Sequence, residues 1–178
     1  NVTSATSTYN VAVGEDAGKS VTTGVENTIV GGLAGDALTD ADGNVALGTY
    51  ALSTDTLGSR AVAIGHGALL TQNFASATNN YNVGVGHSAG RAVTTGIQNT
   101  FVGGLAGDAV TSGSYNVATG YGALTAATTA VQNAAFGRLA LEDNTTGANN
   151  TAIGNHSLGN NTTAANNTAV GYFALEAN

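Results

Sequence analysis

The chain has 178 residues, a formal net charge of −7 and only 8 % charged residues, against about 25 % in an average soluble domain. Because Cys is absent, the sequence excludes a disulfide framework, a zinc finger and a thiol nucleophile. Four Lys and Arg residues against eleven Asp and Glu argue against a nucleic-acid partner. No apolar run reaches the roughly 18 residues of a membrane span, so we expect no membrane insertion in this segment.

After an N-terminal lead-in over residues 1–9, the rest of the chain, 10–178, is one repeat array. The pattern is Asn, Val or Thr, Ala, an aliphatic residue, Gly, two variable residues and Ala, and we number its positions from slot 0. Helical solenoid repeats need about 33 to 47 residues, so a period of 17 predicts an all-β parallel β-solenoid of ten coils. The coils begin at residues 10, 27, 44, 61, 82, 99, 116, 133, 150 and 167, with an insertion within 70–81.

Each coil is expected to contain a strand over slots 0–4, a turn near slots 4–6, a second short strand around slots 7–9 and a return loop. Slots 1 and 3 point one way and slot 2 points the other, yet all three are mostly apolar. A strand that is apolar on both faces is buried on both, so a neighbouring chain is expected to cover one of them. The small Ala at slot 2 suits the close approach of two backbones.

Two coils carry a large residue at slot 2, and both place Gly at slot 5 and Leu at slot 6. This exchange indicates volume compensation within one packed layer. The alternative is that this combination of residues arose once by chance and was copied by a duplication with an offset of 72 residues, because residues 9–39 are closely similar to residues 81–111. The residues concerned are Ile29, Gly32 and Leu33 in the first copy and Phe101, Gly104 and Leu105 in the second.

Equal slots stack into columns in a solenoid, so the Asn at slot 0 predicts a side-chain amide ladder rather than a row of sugar-binding residues. Ala61 interrupts this ladder in the coil that carries the insertion. Gly occupies slot 4 in all ten coils and marks the turn. The ladder residues are Asn10, Asn27, Asn44, Asn82, Asn99, Asn116, Asn133, Asn150 and Asn167, and the turn glycines are Gly14, Gly31, Gly48, Gly65, Gly86, Gly103, Gly120, Gly137, Gly154 and Gly171.

Charged and aromatic residues in neighbouring coils suggest several further contacts. At slot 9, two inter-coil salt bridges are expected, Lys19 with Asp36 and Arg91 with Asp108. His66 and His87 share slot 5 in adjacent coils, where surface stacking is the commoner arrangement and a metal or anion site the alternative. We otherwise expect no metal and no cofactor. The segment 40–44 has some likeness to a calcium loop but lacks the downstream Glu, which favours a return loop.

The segments Asn-Thr-Ala-Ile-Gly at 150–154 and Asn-Thr-Ala-Val-Gly at 167–171 resemble the head repeats of trimeric autotransporter adhesins of the YadA class. Similar arrays occur in phage tail-fibre proteins. The resemblance covers about residues 10–178 and implies a left-handed parallel β-roll, three chains side by side and an extracellular location on a cell surface or virion. The repeats of that family are typically shorter, which implies a longer return loop here.

We therefore expect a non-enzymatic fibre segment, a rigid spacer that displays loops to a glycan or protein of a host surface. No Ser-x-x-Lys, Gly-x-Ser-x-Gly or paired-carboxylate motif supports catalysis. The alternatives are a purely structural self-assembling filament subunit and an ice- or crystal-surface binder, which needs a regular Thr array. The candidate contact loop comprises Gln72, Asn73, Phe74, Asn79, Asn80 and Tyr81.

Overall fold

The computed structural model describes residues 8–177, and within this range the chain is all-β and contains no helix. Almost every strand is three residues long and occupies slots 1–3 of its coil. The strands are β1 (Val11–Val13), β2 (Thr28–Val30), β3 (Val45–Leu47), β4 (Gly58–Ser59), β5 (Val62–Ile64), β6 (Thr78–Asn79), β7 (Val83–Val85), β8 (Thr100–Val102), β9 (Val117–Thr119), β10 (Ala134–Phe136), β11 (Thr151–Ile153) and β12 (Thr168–Val170).

Ten of these strands, one from each coil, form a single parallel sheet in the order β1-β2-β3-β5-β7-β8-β9-β10-β11-β12. Neighbouring strands pair residues 17 positions apart, as Ala46 does with Ala63 across β3 and β5. Between β5 and β7 the offset is 21, because Ala63 pairs with Gly84. The chain is thus a β-solenoid of about nine turns, and the insertion leaves the register of the main sheet intact. Strands β4 and β6 form a separate two-stranded parallel sheet beside the insertion.

The second strand predicted at slots 7–9 is absent from the described coils, where this stretch consists of turns. Slots 6 and 8 hold residues in the left-handed region, such as Leu33 with a φ of 56° and Leu52 with a φ of 53°. A residue in this region cannot continue an extended strand. The backbone cost of a left-handed residue is about 1–2 kcal/mol, and the complete burial of the Leu52 side chain offsets it.

Slot 2 faces the interior of the solenoid, which corrects the interpretation of its small residues as a surface for a neighbouring chain. Ile29, Ala46 and Phe101 are all buried. Slots 1 and 3 face outward instead, and Leu47 is 44 % exposed. The Ala at slot 2 is small because the interior of one thin coil leaves little space between the strand and the opposite turns.

The volume compensation occurs at slot 8 and not at slots 5 and 6. A Cβ added to Gly90, at slot 8, would lie 2.7 Å from the Phe101 ring and 2.8 Å from the Leu69 side chain. A Cβ at Gly35 would likewise lie 3.3 Å from Ile29. Gly32, at slot 5, has open space around it. The large slot-2 side chains therefore occupy the space that a slot-8 Leu fills in other coils.

The slot-4 glycines form a backbone column at the end of each strand. Their φ angles lie between 130° and 137°, a conformation that residues with a side chain rarely adopt. A Cβ at Gly31 would also lie 2.6 Å from the carbonyl carbon of Gly48 in the next coil. Gly is therefore required at this slot by both the backbone angle and the contact between coils.

Candidate binding surfaces

The slot-0 asparagines lie inside the solenoid and their amides bond from coil to coil. Asn99 is representative, since its Oδ1 accepts the backbone N–H of Asn116 at 3.0 Å and its Nδ2 donates to the carbonyl of Gly113 at 2.9 Å. All slot-0 asparagines from Asn27 to Asn150 are buried. Because their amides are engaged within the chain, these residues form a structural spine and offer no row of free groups to a sugar.

At Ala61, where the ladder lacks its Asn, another residue takes over the hydrogen bonds. The backbone N–H of Ala61 still donates to Asn44 Oδ1 at 2.8 Å. The next backbone N–H in the column, that of Asn82, donates to Asn80 Oδ1 at 2.9 Å. Asn80 Nδ2 donates in turn to the carbonyl of Ser59 at 2.8 Å. The inserted segment therefore supplies the amide that Ala61 cannot.

A buried polar cluster lies beside this replacement amide. Gln72 Nε2 donates to Asp55 Oδ2 at 2.6 Å, and Gln72 Oε1 accepts from Asn82 Nδ2 at 2.9 Å. Asp55 Oδ1 also accepts the backbone N–H of Gly58 at 3.0 Å. Both Asp55 and Gln72 are fully buried, so their polar groups satisfy one another inside the coil.

These contacts correct the predicted contact loop. Gln72, Phe74 and Asn80 are buried and belong to the interior, because they fill the coil and complete its ladder. Asn73, Asn79 and Tyr81 are exposed. The hydroxyl of Tyr81 accepts a hydrogen bond from Arg60. Only the exposed half of the predicted loop is therefore available to a partner.

The two expected salt bridges differ. Lys19 Nζ lies 3.6 Å from Asp36 Oδ2 and closer, at 3.1 Å, to Asp16 Oδ2. Within residues 8–177, Arg91 and Asp108 form no such pair. Instead, Asp108 accepts a hydrogen bond from the hydroxyl of Thr125 in the following coil.

His66 and His87 stack in adjacent coils, with ring centroids 5.4 Å apart and planes inclined by 8°. Imidazole lone pairs lie in the ring plane, so two parallel rings do not direct them at one shared ion. In the part of the chain that the structure describes, no group of three potential metal ligands occurs. The third histidine lies further along the solenoid, where His156 Nε2 is 3.0 Å from Arg138 Nη1.

The outward side chains of the ten-stranded sheet form an apolar surface, which we call the strand face. It consists of slots 1 and 3, where Val, Ile, Leu, Phe, Ala and Thr occur and no charged residue does. Parallel sheets are normally covered on both faces, but the solenoid itself covers only the inner one. Its exposed large members are Val11, Val13, Leu47, Val102, Phe136, Ile153 and Val170.

A second regular surface, which we call the threonine corner, consists of slots 12 and 13. Six slot-12 hydroxyls donate to the carbonyl of the equivalent residue in the next coil at 3.0–3.4 Å. The sequence analysis did not single out this column, although Thr-Thr pairs stand at the same two slots in five of the coils. Those donors are Thr22, Thr39, Thr94, Thr111, Thr128 and Thr145, and the exposed slot-13 threonines are Thr23, Thr95, Thr129, Thr146 and Thr163.

Comparison with known proteins yields no family. No protein-family model matches the chain, and neither a curated protein nor a solved structure matches it. Across residues 8–177 there is also no helix of the length and apolar character needed to cross a membrane.

Proposed function

We propose that the chain is a non-enzymatic segment of an extracellular fibre, a homotrimer of side-by-side left-handed β-rolls on a cell surface or virion. The observation that carries this proposal is the uncovered strand face. An apolar face on a parallel sheet favours burial against protein, and a second and third copy of the chain present the same surface. The resemblance to adhesin head repeats and phage tail fibres supports three chains rather than two.

The stiffness of the solenoid supports a role as spacer and scaffold. Neighbouring coils are joined by the parallel sheet and by the Asn ladder, in which Asn80 replaces the missing side chain at Ala61. From the second coil onward, each slot-4 N–H also donates to a carbonyl of the preceding coil, as Gly31 does to Val13. Three chains of ten coils present each surface feature many times, so weak contacts with a host glycan or protein add up to a firm attachment. The exposed Asn73, Asn79 and Tyr81 are one set of candidate contacts.

Light scattering of a charged strand-face variant tests the association. Leu47→Lys with Ile153→Lys places two cations on the strand face, whereas Thr95→Lys with Thr146→Lys adds the same charge at the threonine corner. We expect three times 17.3 kDa for the wild type and the corner variant, and 17.3 kDa for the strand-face variant. A monomeric wild type, or association that the strand-face variant retains, contradicts the proposal.

The threonine corner supports a second candidate, a binder of ice or of another crystalline surface. Its exposed Thr129, Thr146 and Thr163 stand in three successive coils, so their hydroxyls and methyl groups repeat at the coil spacing of about 4.8 Å, which is the regularity such a surface requires. Inhibition of ice recrystallisation distinguishes the two functions with the same variants. If the second function holds, the corner variant loses the inhibition and the strand-face variant keeps it, and no inhibition by the wild type excludes it.

A further inference from the structure

A cavity of about 260 Å³ opens on the side of coils 3–5, where two small residues follow each other at slot 6. The slot-6 side chains on either side of this pair are larger, Tyr50 in coil 3 and Leu105 in coil 6. Gly67 and Ser88 leave a gap between those two. One glycine at slot 6 does not by itself leave a cavity. At Gly122 the Leu139 side chain of the next coil fills the space, 2.6 Å from where a Cβ would stand.

The walls of this cavity are aromatic and apolar, and they are held in place. The Tyr50 and His66 rings meet edge to face, with centroids 5.9 Å apart and planes inclined by 80°. His66 is fixed from its other side by the stack with His87. Leu70 completes the apolar part of the lining. A ring-shaped ligand therefore finds a flat, preformed contact here.

Arg91 supplies a positive charge to the same cavity. Asp108, the nearest acid in its column, is engaged by Thr125, and among residues 8–177 the Arg91 guanidinium has no ion pair. In a chain of net charge −7, a cation without an ion pair attracts an anion to this one place on the surface. The other three cations are engaged: Lys19 with Asp16 and Asp36, Arg60 with the Tyr81 hydroxyl, and Arg138 with His156.

We propose that this cavity binds the carboxylated sugar residue of an acidic glycan. The guanidinium fork of Arg91 matches a carboxylate, the Tyr50 ring packs on the C–H face of the sugar, and the Ser88 hydroxyl and His66 imidazole bond to its hydroxyls. The volume of about 260 Å³ is below the roughly 300–1,000 Å³ of sites for drug-sized ligands, which suits one sugar unit. The inference rests on the proposed function, because it names the chemistry of one surface contact.

Nuclear magnetic resonance titration with two sugars that differ only in the carboxylate tests the site. We expect D-glucuronate to shift the amide resonances around Gly67 and Ser88 with a millimolar dissociation constant, and D-glucose to bind at least tenfold more weakly. Arg91→Gln should weaken glucuronate binding at least tenfold. Arg138→Gln removes the same charge three coils away and should leave it unchanged.

A filled cavity provides the second variant. Ser88 has a φ of 55°, and Leu33, Leu105 and Leu139 occupy the same slot with φ of 55–58°, so the fold accepts Leu at this slot. Ser88→Leu should abolish glucuronate binding while the circular dichroism spectrum is unchanged.

Three results would overturn the site: no glucuronate binding, binding that Ser88→Leu and Arg91→Gln leave unchanged, or equally tight binding of acetate. Binding of the free sugar requires only one copy of the cavity and does not require the trimer. A light-scattering mass measured on the same sample therefore distinguishes failure of the site from failure of the trimer.

Discussion

Coils 4 and 6 show how the solenoid accommodates an irregular repeat. Coil 6 has 17 residues and begins with Asn99, whereas coil 4 has 21 and begins with Ala61. Their strands β5 and β8 nevertheless lie in the same sheet without a break. In coil 6 the slot-0 side chain bonds to the next coil, and in coil 4 the inserted Asn80 does so.

The array therefore preserves a hydrogen bond and not a particular residue. A buried backbone N–H without a partner is costly, so a coil that loses its slot-0 Asn needs another acceptor at the same point. The insertion provides Asn80 and also brings Gln72 and Asp55 together. The extra residues of coil 4 are therefore partly internal structure and only partly surface loop.

The largest effect is expected at the turn, which the two kinds of coil share. Gly31→Ala in a regular coil and Gly65→Ala in coil 4 each force a side chain against the next coil at a φ of 130–132°. We expect each to lower the free energy of unfolding by about 3 kcal/mol or more, measured by urea unfolding. Gly32→Ala, which meets no atom within 4 Å, should stay within about 0.5 kcal/mol. Equal losses at Gly31 and Gly32 would contradict the turn argument.

The next largest effect is expected at Asn80, whose amide replaces the missing slot-0 side chain. Asn80→Ala and Asn99→Ala each remove an acceptor and a donor from the interior, so each should cost about 2–4 kcal/mol in urea unfolding. Asn79→Ala is the matched control, since Asn79 is exposed and its loss should cost less than about 0.5 kcal/mol. Similar small losses for Asn79 and Asn80 would show that the insertion does not complete the ladder.

A rescue experiment tests whether residues 61 and 80 serve the same hydrogen-bonding position. Ala61 lies in register with Asn82, because the adjacent residues Val62 and Val83 are paired. Ala61→Asn should therefore restore the regular ladder and recover at least about half of the loss caused by Asn80→Ala, which a double-mutant cycle measures. Strictly additive effects of the two changes would contradict the idea that both side chains serve one hydrogen-bonding position.

The smallest effect concerns the charges that differ between the duplicated halves. The hydrogen bond to Asp16, helped by its charge and that of Asp36, raises the pKa of Lys19 above its ordinary 10.5. Because the folded-state pKa is the higher one, the stabilisation is present below about pH 10 and is lost as pH rises through the folded-state pKa. Thermal unfolding from about pH 9 to pH 12 should show this loss for the wild type and not for Lys19→Gln. Arg91→Gln should leave the pH dependence unchanged.

The period of 17 was enough to predict the parallel β-solenoid, because it is too short for two helices with their turns. It did not reveal that slots 7–9 form turns instead of the second strand predicted there. Which strand face turns inward was not predictable in the same way, since Ala46 and its neighbours Val45 and Leu47 are all apolar. The sequence also could not reveal the role of Asn80, which has no counterpart in other coils. The sequence also could not show that Asp108 accepts a hydrogen bond from Thr125 instead of pairing with Arg91, because this choice of partner depends on side-chain geometry.

Small-angle X-ray scattering on the unmodified chain tests whether three solenoids associate side by side through the strand face. It measures particle mass and axial length together. We predict three times 17.3 kDa, with the axial length of one chain, roughly 43 Å for nine spacings of about 4.8 Å. A particle of 17.3 kDa, or one whose length increases in proportion to its mass as in an end-to-end filament, would contradict the account.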